Sequence, residues 1–499
     1  MKHTRLSVAL LAATSLVATA CQTDLTGLNV NPNSPSVDTP PPPGTIFTRA
    51  VATTAGRVGG AGYQLSMMEL LAQHVAQYQY VDEDRFAYRV LTIDGYFNGP
   101  YVDDLMNYQQ VYNVGKTTKD PNTWGPASVM MQFAYQNMTD MFGDIPYSEA
   151  LQGTNGATLK PKYDAQKDIY YGMVKALADA VTAMGSGAGL GSGDQLYGGD
   201  AAKWKKFANA LRLRMAMRMQ KADAAKANAE LAAAIAASGG LMTSNADNAT
   251  ISWPGDQVFD NPWAATFASR DDHRMSKTLM DVLLANNDPR LPFYAQPTTA
   301  DPTKYAGEPN GLDNASASGY GTLASRPGAM FYPGKTVYGT YGSSAGRATP
   351  SYLMTFAEQN FILAEAANRG MGGLNAGQAA GYYNAAVTAS IKQWGGSDAA
   401  AADFLAQPAI AYQGGAAGLT QILTQKWVAL FTQGGEAWAD WRRTGVPANI
   451  VPGPKATLSY IPRRMVYATS EQSVNNDALQ AAIARQGADA MNTRMWWDK

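Results

Sequence analysis

A chain of 499 residues with 46% hydrophobic composition can bury a large core, and its 39 basic and 40 acidic residues lack the basic excess that a nucleic-acid surface needs. With one cysteine and three histidines (His3, His74, His273), thiolate and multi-histidine metal centres are excluded; no metal and no cofactor is expected, and no EF-hand-like loop is present. The 26 Tyr and 10 Trp against 14 Phe favour wet, ring-lined recognition surfaces, although each ring taken singly also fits plain packing. His74 and His273 read as helix-surface or loop residues, and neither lies near a G-x-S-x-G-like elbow.

Residues 1–20 read as a leader. Lys2, His3 and Arg5 precede an apolar run from Leu6 to Leu16, and Ala18-Thr19-Ala20 are the small residues expected before a cleavage point. Cys21 follows at once and reads as a lipobox cysteine, diacylated to become the mature N-terminus; position −3 holds Ala18 where Leu is commoner. Acyl chains contribute about 0.8 kcal/mol per buried CH₂, so two or three of them anchor a protein stably. No later stretch has the apolar length of a membrane span. Residues 21–45 are a polar strap with Pro32, Pro35 and Pro40 to Pro43, an extended spacer.

Helical periodicity begins at 47–56 and continues, after the Gly59-Gly60 break, over 63–78. The stretch 77–112 interleaves rings with polar groups, among them Tyr80, Asp82, Asp84, Arg85, Tyr88, Asn98 and Tyr101, as a sugar-binding surface requires. A helix from Trp124 carries Val129, Met130, Phe133, Met138 and Met141; Gly143 suits a left-handed end and Pro146 forbids continuation. Asp164 is the N-cap expected for a helix with Ile169, Met173, Ala176 and Ala180, and Asp200 for one with Trp204, Phe207, Leu211 and Met215. On the latter, Lys203, Lys205, Arg212, Arg214 and Arg218 form a basic stripe that reads as a solvated face or a partner surface. An Ala-rich helix is expected over 222–237.

Residues 253–347 change character: one helix fits 276–286, and from 293 onward Pro and Gly are dense among Tyr294, Tyr305, Tyr320, Phe331, Tyr332, Tyr338 and Tyr341. A long ring-rich loop region of this kind is expected to be functional. Helices resume over 351–370, where Glu358 and Glu365 lie off the apolar face, then over 377–394 and 420–434. In Glu436-Ala437-Trp438-Ala439-Asp440-Trp441-Arg442-Arg443, pairing of Arg442 or Arg443 with Glu436 or Asp440 is expected.

Several segments in order carry a family likeness. They are Phe142-Gly143-Asp144-Ile145-Pro146-Tyr147-Ser148-Glu149-Ala150, Lys203-Trp204-Lys205-Lys206-Phe207-Ala208-Asn209-Ala210-Leu211-Arg212, Gln425-Lys426-Trp427-Val428-Ala429-Leu430-Phe431, the Glu436 to Arg443 segment, and Ile461-Pro462-Arg463-Arg464 with Ser470-Glu471-Gln472-Ser473. In these the chain resembles the nutrient-binding outer-membrane lipoproteins of the SusD/RagB type. The resemblance implies a mostly α fold, with tetratricopeptide-like helix pairs forming a right-handed superhelical scaffold and a loop-rich ligand-binding part. On that expectation residues 46–499 are one domain, with 46–252 and 348–499 as scaffold and 253–347 as the ligand-binding insertion. The resemblance also implies attachment to the outer membrane through Cys21, facing outside the cell, and a TonB-dependent β-barrel transporter of the SusC type as partner.

The first functional expectation is capture of an oligosaccharide, or in some relatives a peptide, without catalysis. Its candidate contacts are Tyr80, Arg85, Tyr88 and Tyr101 from the early stretch and Tyr320, Tyr338 and Tyr341 from the long loop. A glycosidase would need two carboxylates across a cleft; Asp82/Asp84, Asp103/Asp104 and Asp271/Asp272 are the adjacent pairs available. A third alternative is an adaptor that binds another protein and no small ligand.

Overall fold

The computed structural model describes residues 41–152, 159–185, 187–332 and 344–499. Cys21, the leader and the strap as far as residue 40 lie outside the described residues, as do Tyr338 and Tyr341. Residues Pro43–Lys499 form one unit.

The helix expected from Trp124 organises this unit. As α4, Pro121–Phe142, it is buried over nearly its whole length, between α3 (Met106–Thr117) and α5 (Gln166–Ala183). The Asp120 side chain accepts from the Asn122 N–H, and Pro121 occupies the first turn, where a missing N–H costs nothing. Gly115 on α3 lets the two helices close up, since a Cβ there would lie 2.6 Å from the Trp124 backbone nitrogen. α1 (Pro43–Val58) buries Phe47, Ala50 and Val51 and packs on α3. Beyond α5, each helix packs on its predecessor through α6 (Ala201–Arg218) and α7 (Ala224–Ile235). The C-terminal half repeats the pattern: α9 (Phe356–Asn368) lies against α10 (Ala376–Gln393), α11 (Gly415–Ala429) and α6, and α12 (Gly434–Thr444) follows α11.

Three short antiparallel ribbons tie distant segments together. β1 (Val75–Gln77) pairs with β5 (His273–Met275) in register Val75 to Met275, β2 (Ile145–Pro146) with β3 (Tyr163–Asp164), and β4 (Ala249–Ile251) with β6 (Ser351–Met354). β1 occupies the end of the stretch expected as helix over 63–78; only 64–71 is helical, partly as a widened turn. Asp164 is likewise a β3 residue: its carboxylate accepts from the Tyr147 and Ser148 N–H groups and the Ser148 hydroxyl, and Ala165 begins α5.

Residues 253–332 are less loop-like than their Pro and Gly content implies. They hold α8 (Lys277–Ala285) and shorter helical turns, and their rings enter the core. The Phe431 ring has centroids of Trp263, Tyr294, Phe331 and Trp394 within 6.3 Å, Tyr294 stacked at 4.4 Å.

The basic stripe on α6 faces inward. Arg212 reaches Glu230 at 2.6 Å, Arg214 reaches Glu358 at 2.6 Å and Arg218 reaches Glu436 at 2.5 Å, and all three arginines are buried. Periodicity marks a face as polar; it cannot tell solvent from carboxylates on another helix. The histidines are also buried. His74 bridges the Glu69 carboxylate (2.8 Å) and the Trp427 carbonyl (3.0 Å). His273 donates from Nε2 to the Leu65 carbonyl, and burial pushes its pKa down to about 4, so it is neutral.

Candidate functional site

An open cleft of about 610 Å³ lies where the two ends of the chain's helical run meet. That volume is within the range of small-ligand pockets, about 300–1,000 Å³. One wall comes from α2 (Val90–Gly99), which continues through a widened turn, Pro100–Leu105, into α3. The other comes from the Pro146 to Gln152 turn and from α13, Thr469–Val474.

Each wall is fixed by interactions behind it. Phe97 is buried, edge-on to Phe142 at 5.1 Å and to Tyr467 at 6.1 Å. Tyr101 leans on Phe97 (centroids 5.9 Å apart), and its hydroxyl donates to the Pro146 carbonyl at 2.7 Å. Asp94 on α2 accepts from the Thr469 N–H and hydroxyl, and Asn98 donates to the Ser470 hydroxyl at 3.1 Å, so α2 and α13 are stapled together. Glu471 accepts from the Tyr163 hydroxyl at 2.8 Å. Burial first, and then the Glu471 charge, push that phenol well above its ordinary pKa, so it stays a donor. Glu149 accepts from the Lys162 N–H at 3.0 Å. Val102, Leu159 and Val474 on the rim are 71%, 81% and 55% exposed, an apolar edge beside an aromatic wall with polar groups set into it.

Of the ring and arginine residues expected to form a site, only Tyr101 lines this cleft. Tyr80 stands elsewhere, on the loop after β1. Its backbone is left-handed (φ 56°), its side chain is 63% exposed, and the Arg270 guanidinium lies 5.0 Å from the ring centroid. A bulky residue at positive φ is unfavourable and marks a position worth functional attention. Tyr320 is half-buried against Tyr78, Val81, Leu312 and Ala317, next to the buried Arg274, which sits 4.0 Å over the Tyr78 ring. Arg85 ties two loops together: Nε donates to the Lys455 carbonyl, and the Arg85 carbonyl accepts from Thr457. Tyr88 is half-buried with its hydroxyl sequestered, and burial raises its pKa. Arg85, Tyr88 and Tyr320 therefore serve the architecture of the loops.

The acidic pairs are also spoken for. Asp103 and Asp104 bind Arg57, Asp271 binds Arg274 and Arg326, and Asp272 binds Arg270. Asp84 is buried, accepting from Asn310 and from the Gly311 N–H. Phe97, Asn98, Glu149, Ser470 and Glu471 were not singled out as ligand groups. Two of the motifs that carry the family likeness hold Glu149, Ser470 and Glu471, and the fold brings these motifs to opposite walls of one cleft.

Residues 32–468 match the SusD-like_2 family model, described as "Starch-binding associating with outer membrane". The chain belongs to this SusD-like family. Solved structures agree. A chitin-binding protein is 28% identical over 91% of this chain and 99% of its own, with a TM-score of 0.79. A chitin-binding SusD homologue from Flavobacterium johnsoniae is 27% identical over 91% and 98% (TM-score 0.78), and a SusD homologue from Bacteroides fragilis is 26% identical over 92% and 100% (TM-score 0.78). Among curated proteins, none matches the chain. The mostly helical, tetratricopeptide-like architecture is thus that of SusD homologues. Among the described residues of this SusD-like chain, no helix is long and apolar enough to cross a membrane.

Proposed function

We propose that this SusD-like protein is a surface lipoprotein that captures oligosaccharides and passes them, covalently unchanged, to a TonB-dependent barrel transporter of the SusC type. The observation that carries this is the cleft beside Tyr101: its volume, its aromatic wall and its hydrogen-bonding groups suit a few sugar residues. The similar proteins described as chitin-binding favour a glycan over a peptide. The family description favours an outer-membrane location, and Cys21 after a leader supplies a lipid tether. Sugar hydroxyls must be desolvated and the walls are only partly enclosing, so Kd is expected at about 0.01–1 mM.

One observation favours a second function, glycoside hydrolysis: Glu149 and Glu471 line the same cleft. That chemistry needs one acid held protonated near neutral pH. The carboxyls pushed furthest in that direction, Glu308 (to about 9) and Asp84 (to about 6), are buried and do not line the cleft. Capture is therefore the conclusion.

Calorimetry of the purified protein with oligosaccharides of defined composition tests it. Saturable binding that is lost in Tyr101→Ala, with no new reducing ends after prolonged incubation, is expected. New reducing ends would assign the cleft to a hydrolase, and absence of binding to every saccharide would leave only an adaptor role.

A further inference from the structure

The hydrogen-bonding groups of the cleft are unbalanced. Its donors are largely committed within the protein: Tyr101 gives its hydroxyl proton to Pro146, Asn98 an N–H to Ser470, Gln152 an N–H to the Ser148 carbonyl (2.9 Å) and Asn475 an N–H to the Pro161 carbonyl (2.8 Å). What faces outward is acceptor capacity. Glu471 and Glu149 are acceptor-only groups when ionised, with up to four lone-pair sites each. Glu471 accepts from the Tyr163 hydroxyl on one oxygen, and Glu149 accepts from the Lys162 N–H on one oxygen. None of the described residues lining the cleft is Lys, Arg or His. Lys162, beside it, is drawn to Glu149 at 3.6 Å and Asp164 at 3.7 Å.

We propose that the cleft selects sugars that bring N–H donors, either free amines or N-acyl amides, and rejects glycans carrying carboxylate or sulfate groups. The proposal rests on the capture function above and assigns Glu471 and Glu149 as its specificity-determining residues. An amide N–H or ammonium supplies the donor that the carboxylates lack, and an N-acyl methyl finds apolar surface at Val102, Met106 and Val474. An acidic sugar brings acceptors to acceptors and negative charge to negative charge. The apolar walls make that encounter costlier than it is in open solvent. Selectivity thus comes from repulsion of the wrong ligand as much as from attraction of the right one.

The test is calorimetry on the full chain with four oligosaccharides of equal length: N-acetylated glucosamine, its de-acetylated form, neutral glucose and a uronate. Both amine- and amide-bearing oligomers are expected to bind at least about 10-fold tighter than the uronate. For the charged ligands the gap should shrink as salt is raised. Glu471→Gln and Glu149→Gln, each supplying an N–H and removing a charge, are expected to close the gap mainly by improving uronate binding. That gain of function cannot come from misfolding. If the uronate binds wild-type protein as tightly as the amino sugars, or if neither Gln variant changes the ratio, the selectivity is overturned while capture stands. If no saccharide binds, capture and selectivity fall together.

Discussion

Arg443 and Glu365 meet fork to fork inside the core, Nη1 to Oε1 and Nη2 to Oε2, both at 2.7 Å, with each residue no more than 1% exposed. The same guanidinium holds Asp440 at 2.7 Å, and Lys426 reaches Asp440 at 3.2 Å, so α9, α11 and α12 are joined through one buried charge cluster. Burial alone would raise the Asp440 carboxyl, but the Arg443 and Lys426 charges outweigh it and hold that pKa well below the usual carboxylate range. Removing one partner leaves uncompensated charge in a dry interior. Arg443→Ala is expected to cost about 3–5 kcal/mol, read as a lower urea midpoint at neutral pH. Because Asp440 is depressed, its contribution is fully present above the unfolded pKa and is lost as pH falls through the folded one.

Glu308 predicts the opposite pH dependence. It is fully buried with neither carboxylate oxygen hydrogen-bonded; burial first and the Asp84 charge second push its pKa from 4.5 to about 9. Between those two values the folded chain keeps a proton that the unfolded chain releases. Stability from protonated Glu308 is thus complete below about pH 4.5 and drains away as pH rises toward about 9. Glu308→Gln mimics the protonated form. It is expected to match wild type near about pH 5 and exceed it by on the order of 2 kcal/mol near about pH 8–9 in urea titrations. A constant difference across that range would show that Glu308 is not the titrating group.

Gly143 ends α4 at φ 86°, and a Cβ there would lie 1.7 Å from the Gln486 Oε1 that accepts from the Asp144 N–H. Gly143→Ala therefore combines backbone strain with loss of that contact, and a destabilisation of at least about 2 kcal/mol is expected in thermal unfolding. Gln486→Ala opens the space, so the double variant should lose less than the sum of the singles.

Tyr80 and Tyr101 separate in a paired binding and stability measurement. Tyr80→Gly relieves a left-handed tyrosine and exposes nothing new, so stability is expected within about 1 kcal/mol of wild type, shifted upward if at all. Tyr101→Ala removes a cleft wall, and a loss of saccharide affinity of about 10-fold or more is expected. A comparable affinity loss in Tyr80→Gly at unchanged melting temperature would mark the Tyr80–Arg270 surface as a second contact area.

The helices were legible because their causes are local. Pro121, Asp200 and Gly143 act within a turn or two of themselves, and the 3.6-residue spacing of Val129, Phe133 and their neighbours survives in any context. The stretch 63–78 was misread because the strand Val75–Gln77 exists only by pairing with His273–Met275, some two hundred residues on, and a three-residue strand carries no periodicity of its own. The site was half legible: ring density pointed to 77–112, and Tyr101 does line the cleft, but nothing local separates it from Tyr88, whose hydroxyl is turned inward.

By itself the sequence determined the helical class, the order of the elements, the SusD-like likeness and the poverty of metal-binding or nucleophilic chemistry, all properties of residue type and short-range spacing. Only the tertiary structure decided that Arg212, Arg214 and Arg218 point into carboxylates, that His74 and His273 are buried, and that Glu149 and Glu471, more than three hundred residues apart, share one cleft. The physical reason is that a polar side chain's partner is set by which helices pack together, and that packing is a sum over the whole core that no single segment encodes.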